Sequence, residues 1–223
     1  MRPRPGRRGG KLRLLIALGM GAFALISYFG SSSYNPVTGE KQHLAMTPRQ
    51  EIAMGLQAVP QMVEQFGGMH PDPRAQALID QVGRRLVGQS AARDTEWQYD
   101  FHLLADPRTV NAFALPGGQI FITEALFTRF ETEGQLAGVL GHEIGHVIAR
   151  HSAQRIAKQN LTRGLIGAIL IGAEGGATAA QTAQAVGQMI TMKYGREDEL
   201  ESDTLGVRFM SEAGYDPRSM IQV

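Results

Sequence analysis

The chain has 223 residues, 43% of them hydrophobic, which is enough to bury a core in one main domain with a short appendage. It has no cysteine, which excludes a disulfide framework, a thiolate metal site and a lipobox, so any metal must be held by His, Asp or Glu. The net charge of +1 hides an asymmetry: Arg2, Arg4, Arg7, Arg8, Lys11 and Arg13 all precede the first acidic residue, Glu40, and the other 16 basic residues face 21 acidic ones, which gives no sign of a nucleic-acid binder.

Leu14 to Phe29 follows the basic cluster as 16 residues without a charge, and Gly30-Ser31-Ser32-Ser33 comes next. This is the layout of a signal sequence or signal anchor. The run is slightly short of the roughly 20 residues of a spanning helix, but Leu12 and Ser31 to Ser33 can extend it. No clear Ala-x-Ala site follows, so a retained anchor is expected over a cleaved peptide. The basic flank stays cytoplasmic, which sends the body of the chain across the membrane. Residues 1–33 are therefore expected to be the targeting segment, 34–46 a linker marked by Asn35-Pro36 and Thr38-Gly39, and 47–223 the folded domain.

Thr47, Pro48 and Gln50 form a capping box that opens a helix to about Phe66, with Pro60 expected to kink or divide it and Gly67-Gly68 ending it. Asp72-Pro73 opens a second helix, where Ala75, Leu78, Ile79, Val82 and Leu86 recur at helical spacing to about Gln89. After Asp94, Tyr99, Phe101 and Leu103 alternate with Asp100 and His102 as in a strand. Val110 to Leu115 and Gln119 to Thr123 meet across Pro116-Gly117-Gly118 and read as a hairpin. A small antiparallel sheet is therefore expected. Its edge is either scaffold or a place where an extended peptide adds as a further strand.

The run Gly138 to Ala149 is apolar except for His142, Glu143 and His146. On a helix the two histidines point the same way, Glu143 sits about 100° from His142, and Leu136, Val139, Leu140, Ile144, Val147 and Ile148 bury the remaining directions. Buried imidazoles and a buried carboxylate are costly unless satisfied. A zinc ion satisfies the imidazoles and gives Glu143 a water to act on, the His-Glu-x-x-His pattern of zinc metallopeptidases; the bland alternative is a helix whose histidines bond to backbone. Leu165 to Ala173 is too short to span a bilayer, and a buried helical hairpin is expected there.

A third ligand is expected further on. With Glu199 as the reference direction of a helix, Asp203, Gly206 and Met210 lie within about 40° of it, so Glu199 and Asp203 are expected to face the core, while Glu197, Glu201 and Arg208 fall opposite as a solvated charge cluster. Glu199 as third ligand, with Asp203 accepting from a histidine N–H, completes a His2Glu site with one open position. His151, about 140° from His146 on a continued helix, is expected to be structural. His43, His70 and His102 are expected to be surface or packing residues.

His142-Glu143-x-x-His146, Asn111-Ala112-Phe113-Ala114-Leu115-Pro116-Gly117-Gly118 and Glu199-x-x-x-Asp203 together closely resemble the zinc metalloendopeptidase family of the CAAX prenyl protease type 1, HtpX-like and periplasmic BepA-like enzymes. The resemblance runs from about Asn35 to Pro217 and is nearest to the envelope-facing bacterial members. It implies an α+β, mainly helical fold with a zincin-like core and a small antiparallel sheet beside the metal helix. It also implies one zinc on His142, His146 and Glu199, with Glu143 as general base and acid and Asp203 orienting a ligand. The strand Asn111, Ala112, Phe113, Ala114 is implied to be the edge along which a polypeptide substrate lies. Arg196 and Tyr194 are candidates to help stabilise an oxyanion. The chain departs from the family at Gly195 and Ser202, where Ser and Ala are usual, and it reaches Val223 in the first turns of a helix opened by Asp216-Pro217, so a fragment or minimal form is expected.

The expected function is a membrane-anchored zinc endopeptidase of the bacterial cell envelope. Its catalytic domain would lie on the periplasmic side, with a quality-control role that rests on the family alone. The alternative is a latent zinc-binding module of the same fold with a chaperone-like or assembly role. A structural zinc in an interaction protein is disfavoured, because it would leave Glu143 without a purpose.

Overall fold

A computed structural model of the protein describes residues 8–172 and 194–222. They fall into two compact units, one of residues 8–34, 40–45 and 154–172, the other of residues 35–39, 46–153 and 194–222.

The first unit contains α1 (Arg8–Gly30), the antiparallel pair β1 (Ser32–Tyr34) and β2 (Lys41–His43), and most of α6 (His151–Gly172). Within α1, the 21-residue stretch Gly10–Gly30, whose most apolar 18-residue window has a mean hydropathy of 1.9, is long and apolar enough to cross a membrane. At about 1.5 Å per residue they reach about 31 Å. Small residues line the α1–α6 contact: a side chain added at Gly164 would meet Ala24 Cβ at 2.7 Å. The linker expected at 34–46 is partly a hairpin, because Ser32 pairs with His43 and Tyr34 with Lys41. These strands are short and polar, so the ladder forms without the alternation that would announce it. The second helix of the hairpin expected around Leu165 to Ala173 lies outside the described residues.

In the second unit the two capped helices stand where their signals place them. They are α2 (Pro48–Gln65), opened by the Thr47–Gln50 capping box, and α3 (Pro73–Gln89), opened by Asp72. Pro60 does not divide α2: Pro60 and Leu56 are both exposed, so the carbonyl freed by the missing N–H is at the solvent side. A short 3-10 turn, Ala91–Asp94, leads to β3 (Asp100–Leu104), β4 (Ala112–Ala114) and β5 (Gln119–Thr123).

The sheet order is β3-β5-β4. The expected hairpin is antiparallel, with Ala112 opposite Ile122 and Ala114 opposite Ile120, and it turns through Gly117 (φ 84°) and Gly118 (φ 112°), conformations that suit glycine. The expectation of an antiparallel sheet holds for this pair and is corrected for β3, which runs parallel to β5 with Phe101 opposite Ile120. The chain passes from β3 to the far edge before the hairpin returns β5 to the centre, a crossing that local pattern does not encode.

Behind the sheet, Phe101, Leu103, Ile120 and Ile122 pack with Ile79, Val82 and Leu86 of α3 and with the apolar side of α5 (Glu133–Ile148) in one core. The small α4 (Glu124–Phe127) precedes α5, which opens with a second capping box, Thr132 and Gln135. The core is closed by Leu205, Phe209 and Met210 of α7 (Arg196–Glu212), and a 3-10 helix, Pro217–Gln222, follows. Helices α5 and α7 approach through small residues. A Cβ at Gly141 would stand 3.2 Å from Gly206 O, and one at Gly145 would stand 3.0 Å from Ser202 O. That close approach brings the first turns of α7 against the middle of α5.

Candidate metal centre and active site

His142, His146 and Glu199 converge at the α5–α7 contact, each offering one ligand atom within 4.8 Å of the others. His142 Nε2 is 3.0 Å from His146 Nε2 and 3.4 Å from Glu199 Oε2, and His146 Nε2 is 3.9 Å from the same oxygen. Donor atoms at about 2.0–2.1 Å from one tetrahedral ion stand about 3.3–3.4 Å apart, so the triangle fits a single ion. Asp203 Oδ1 is 2.9 Å from His142 Nδ1. A carboxylate only accepts, so Nδ1 carries the hydrogen, and in the neutral ring the Nε2 lone pair faces the Glu199 oxygen. Electron donors aimed at one another call for a cation between them.

Burial sets the electrostatics. Burial, and secondarily repulsion from His142 and His151, lowers the His146 pKa to about 3, which keeps the ring in its neutral, ligating form. Burial, and then the Glu199 carboxylate, pushes Glu143 up to about 8, opposed by the hydrogen bond it accepts from the Ala114 backbone N–H. A cation held by Glu199 would relieve the second of those causes.

The Ala114 contact also orients the sheet edge. Leu115 N donates to Gln119 O and Thr123 N donates to Asn111 O, so alternation turns the backbone groups of Ala112 and Ala114 away from β5, toward the open edge. Phe113 points elsewhere and stacks on Phe121 at 4.9 Å, while Asn111 lies just before the strand. A cavity of about 240 Å³ beside this edge is lined by Ala112, Gly138, Val139, His142, Glu143 and Met220.

Several residues stand differently from their sequence expectations. The side chains of Glu199 and Asp203 are 45% and 53% exposed, at the rim of the site rather than on the apolar face. The buried arc of α7 is made by Ser202, Leu205, Gly206, Phe209 and Met210. Its centre lies about 60° from Glu199, so Asp203 and Glu201 flank it on opposite sides. Glu201 is accordingly not part of a solvated cluster: its Oε2 is 3.0 Å from Nε2 of the fully buried His151. His151 in turn places Nδ1 2.8 Å from His146 Nδ1 and 3.3 Å from Ser202 Oγ. A continuous helix would have carried His151 away from His146. Arg150 breaks it with φ 56° and brings the chain back.

That left-handed Arg150 is fixed by residues the sequence reading did not connect. Its guanidinium donates to the buried Glu51 carboxylate and to Met46 O, and it lies over the Trp97 ring. Tyr194 stacks on His146 at 4.3 Å, and its hydroxyl is 2.8 Å from Ser152 Oγ. Arg196 is exposed at the start of α7. His43 stacks on Tyr28, His102 on Phe121, and His70 lies 3.9 Å from Glu124.

Two histidines converging from one buried helix, an acidic residue from a second helix and an open strand edge alongside define a zincin-like metallopeptidase core. A family model, "Peptidase family M48", matches residues 73–223. The chain belongs to that family. It is 29% identical over 197 residues to the mitochondrial metalloendopeptidase OMA1 of Schizosaccharomyces pombe, covering 87% of this chain and 57% of the relative. It is 29% identical over 218 residues to the beta-barrel assembly-enhancing protease of Escherichia coli K12, covering 93% and 43%. With the putative beta-barrel assembly-enhancing protease of Vibrio cholerae it shares 31% identity over 195 residues, covering 84% and 40%. The chain thus spans about half the length of these relatives.

Proposed function

We propose that this chain is a zinc-dependent metalloendopeptidase in which His142, His146 and Glu199 hold the metal and Glu143 moves the proton. The observation that carries the reading is the convergence of those three ligand atoms next to a buried carboxyl group and an open strand edge. Two imidazoles and one carboxylate suit zinc and leave a coordination position open. Zinc, when bound, supplies a Lewis acid that activates water and polarises a carbonyl.

Glu143 takes the proton of the attacking water and delivers it to the leaving amine; a pKa raised toward neutrality equips it for both transfers. Asp203 holds the His142 ring in one orientation. The outward-facing backbone of Ala112 receives an extended polypeptide as an added strand, and the neighbouring cavity takes one of its apolar side chains.

Residues 1–33 act as a membrane anchor and 47–223 as the catalytic domain, which the basic N-terminal flank directs to the periplasmic side of a bacterial envelope. The relatives named for enhancing beta-barrel assembly support a substrate among misassembled envelope proteins. Met220, packed against Gly138 at the cavity, favours a second reading in which the site is latent.

Zinc content and casein hydrolysis, measured together on the full chain in detergent and on its Glu143→Gln variant, separate the two readings. Zinc in both with cleavage by the parent alone supports the peptidase; zinc in both with cleavage by neither supports the latent module; a parent without zinc sinks both.

A further inference from the structure

His142 Nδ1 has a carboxylate to fix its ring, Asp203, whereas the neighbour that meets His146 Nδ1 among the described residues is another histidine, His151. We infer that Glu201 and His151 form a relay that positions His146, holding its hydrogen on Nδ1 and its Nε2 lone pair toward the metal site. This deepens the metallopeptidase reading and rests on it.

The hydrogens follow from the donor inventory. Glu201 Oε2, 3.0 Å from His151 Nε2, can only accept, so that nitrogen carries a hydrogen. In the neutral ring His151 Nδ1 is then an acceptor, and the hydrogen in the 2.8 Å contact between the two Nδ1 atoms belongs to His146. His146 Nε2 is left as a lone pair facing His142 Nε2 and Glu199. The reverse assignment puts hydrogens on both His151 nitrogens, and hence a charge on a ring with 0% side-chain exposure. The surroundings fix the ring planes as well: Tyr194 stacks on His146, and Ser202 Oγ meets His151 Nδ1 from α7. The relay therefore runs from α7 through the start of α6 to α5, and it depends on the reversal at Arg150. An outer partner of this kind orients a ligand ring, and its loss typically weakens metal binding 10- to 100-fold.

Two measurements test it. In the metal-free parent chain in detergent micelles, labelled with ¹⁵N-histidine, a long-range ¹H–¹⁵N spectrum should place the hydrogens on His146 Nδ1 and His151 Nε2; a hydrogen on His146 Nε2 overturns the relay without any variant being needed. Competition with a chromophoric chelator then gives the zinc Kd of the parent and of its variants. His151→Leu should raise Kd about 10- to 100-fold, and His151→Asn, whose amide oxygen can accept in place of Nδ1, should recover most of the loss. If His151→Leu lowers the metal-free Tm but keeps the parent Kd, His151 only fills space and the inference fails while the metallopeptidase reading stands. A parent that binds no zinc removes that reading, and the relay falls with it.

Discussion

Helices α1 and α5 are both strongly apolar, yet their surroundings are opposite. In α1, Leu15, Phe23 and Ile26 are 66%, 74% and 71% exposed; in α5, Leu140 and Ile144 are completely buried. The difference lies in what accompanies the apolar residues. α1 keeps its charged residues, Lys11 and Arg13 among them, to its first turns and is uncharged from Leu14 on, so a bilayer can serve as its solvent. α5 carries His142, Glu143 and His146, and each requires partners that only other elements of the fold supply. Apolar content says that a helix avoids water. The polar residues within it say whether protein or lipid is the alternative.

The comparison is open to attack at several points. Removing the buried acid of α5 has the largest expected effect: Glu143→Gln should keep zinc and lose about 10²- to 10⁴-fold in peptide hydrolysis, by assay beside metal analysis. Next, Ile144→Ala should cost about 2–5 kcal/mol in chemical unfolding, because its site is fully enclosed. Gly145→Ala should cost about 1–3 kcal/mol, since the new methyl meets the Ser202 backbone at 3.0 Å, and it should weaken zinc binding by separating α5 from α7.

The acidity of Glu143 and His146 makes a signed prediction for the metal-free protein. Between pH 4.5 and about 8 the unfolded Glu143 is ionised while the folded one holds its proton, so stability falls as pH rises. Between about 3 and 6.5 the unfolded His146 is protonated while the folded one is neutral, so stability falls as pH drops. The two slopes oppose each other from pH 4.5 to 6.5, and their sum should leave a plateau there. From 6.5 to 8 the Glu143 slope acts alone and removes about 2 kcal/mol. Thermal unfolding of chelator-treated protein across this range should show the decline, and Glu143→Gln should abolish it above pH 6.5. The smallest effect belongs to α1: Ile26→Ala should change the unfolding of the second unit by less than about 0.5 kcal/mol. A larger change would mean that α1 is part of the folding core after all.

What was legible in the sequence depended on how locally it was encoded. Thr47 and Asp72 mark helix starts through their own side chains, and the four-residue spacing of His142 and His146 places both rings on one side of a single helix. The partnership of His151 with Glu201 could not be read in this way. It needs a left-handed residue between α5 and α6, and arginine gives no local sign of that conformation; Glu51, nearly a hundred positions earlier, holds it there. The same limit applies to β3, whose parallel neighbour is fixed by the path of the chain. On α7 the helical phase was legible but its zero was not, because the buried arc is centred on Ser202 and Phe209, to one side of Glu199.

The candidate ligands are split between α5 and α7, which has a topological consequence. His146 and Glu199 are 53 positions apart in the chain. An ion bound to both would tie the ends of that stretch together in the folded state, in a chain that has no cysteine with which to make a permanent link. Because that tie is released on unfolding, its contribution would follow the metal concentration by mass action, so depriving the protein of metal would empty the candidate site and also make α7 easier to part from α5.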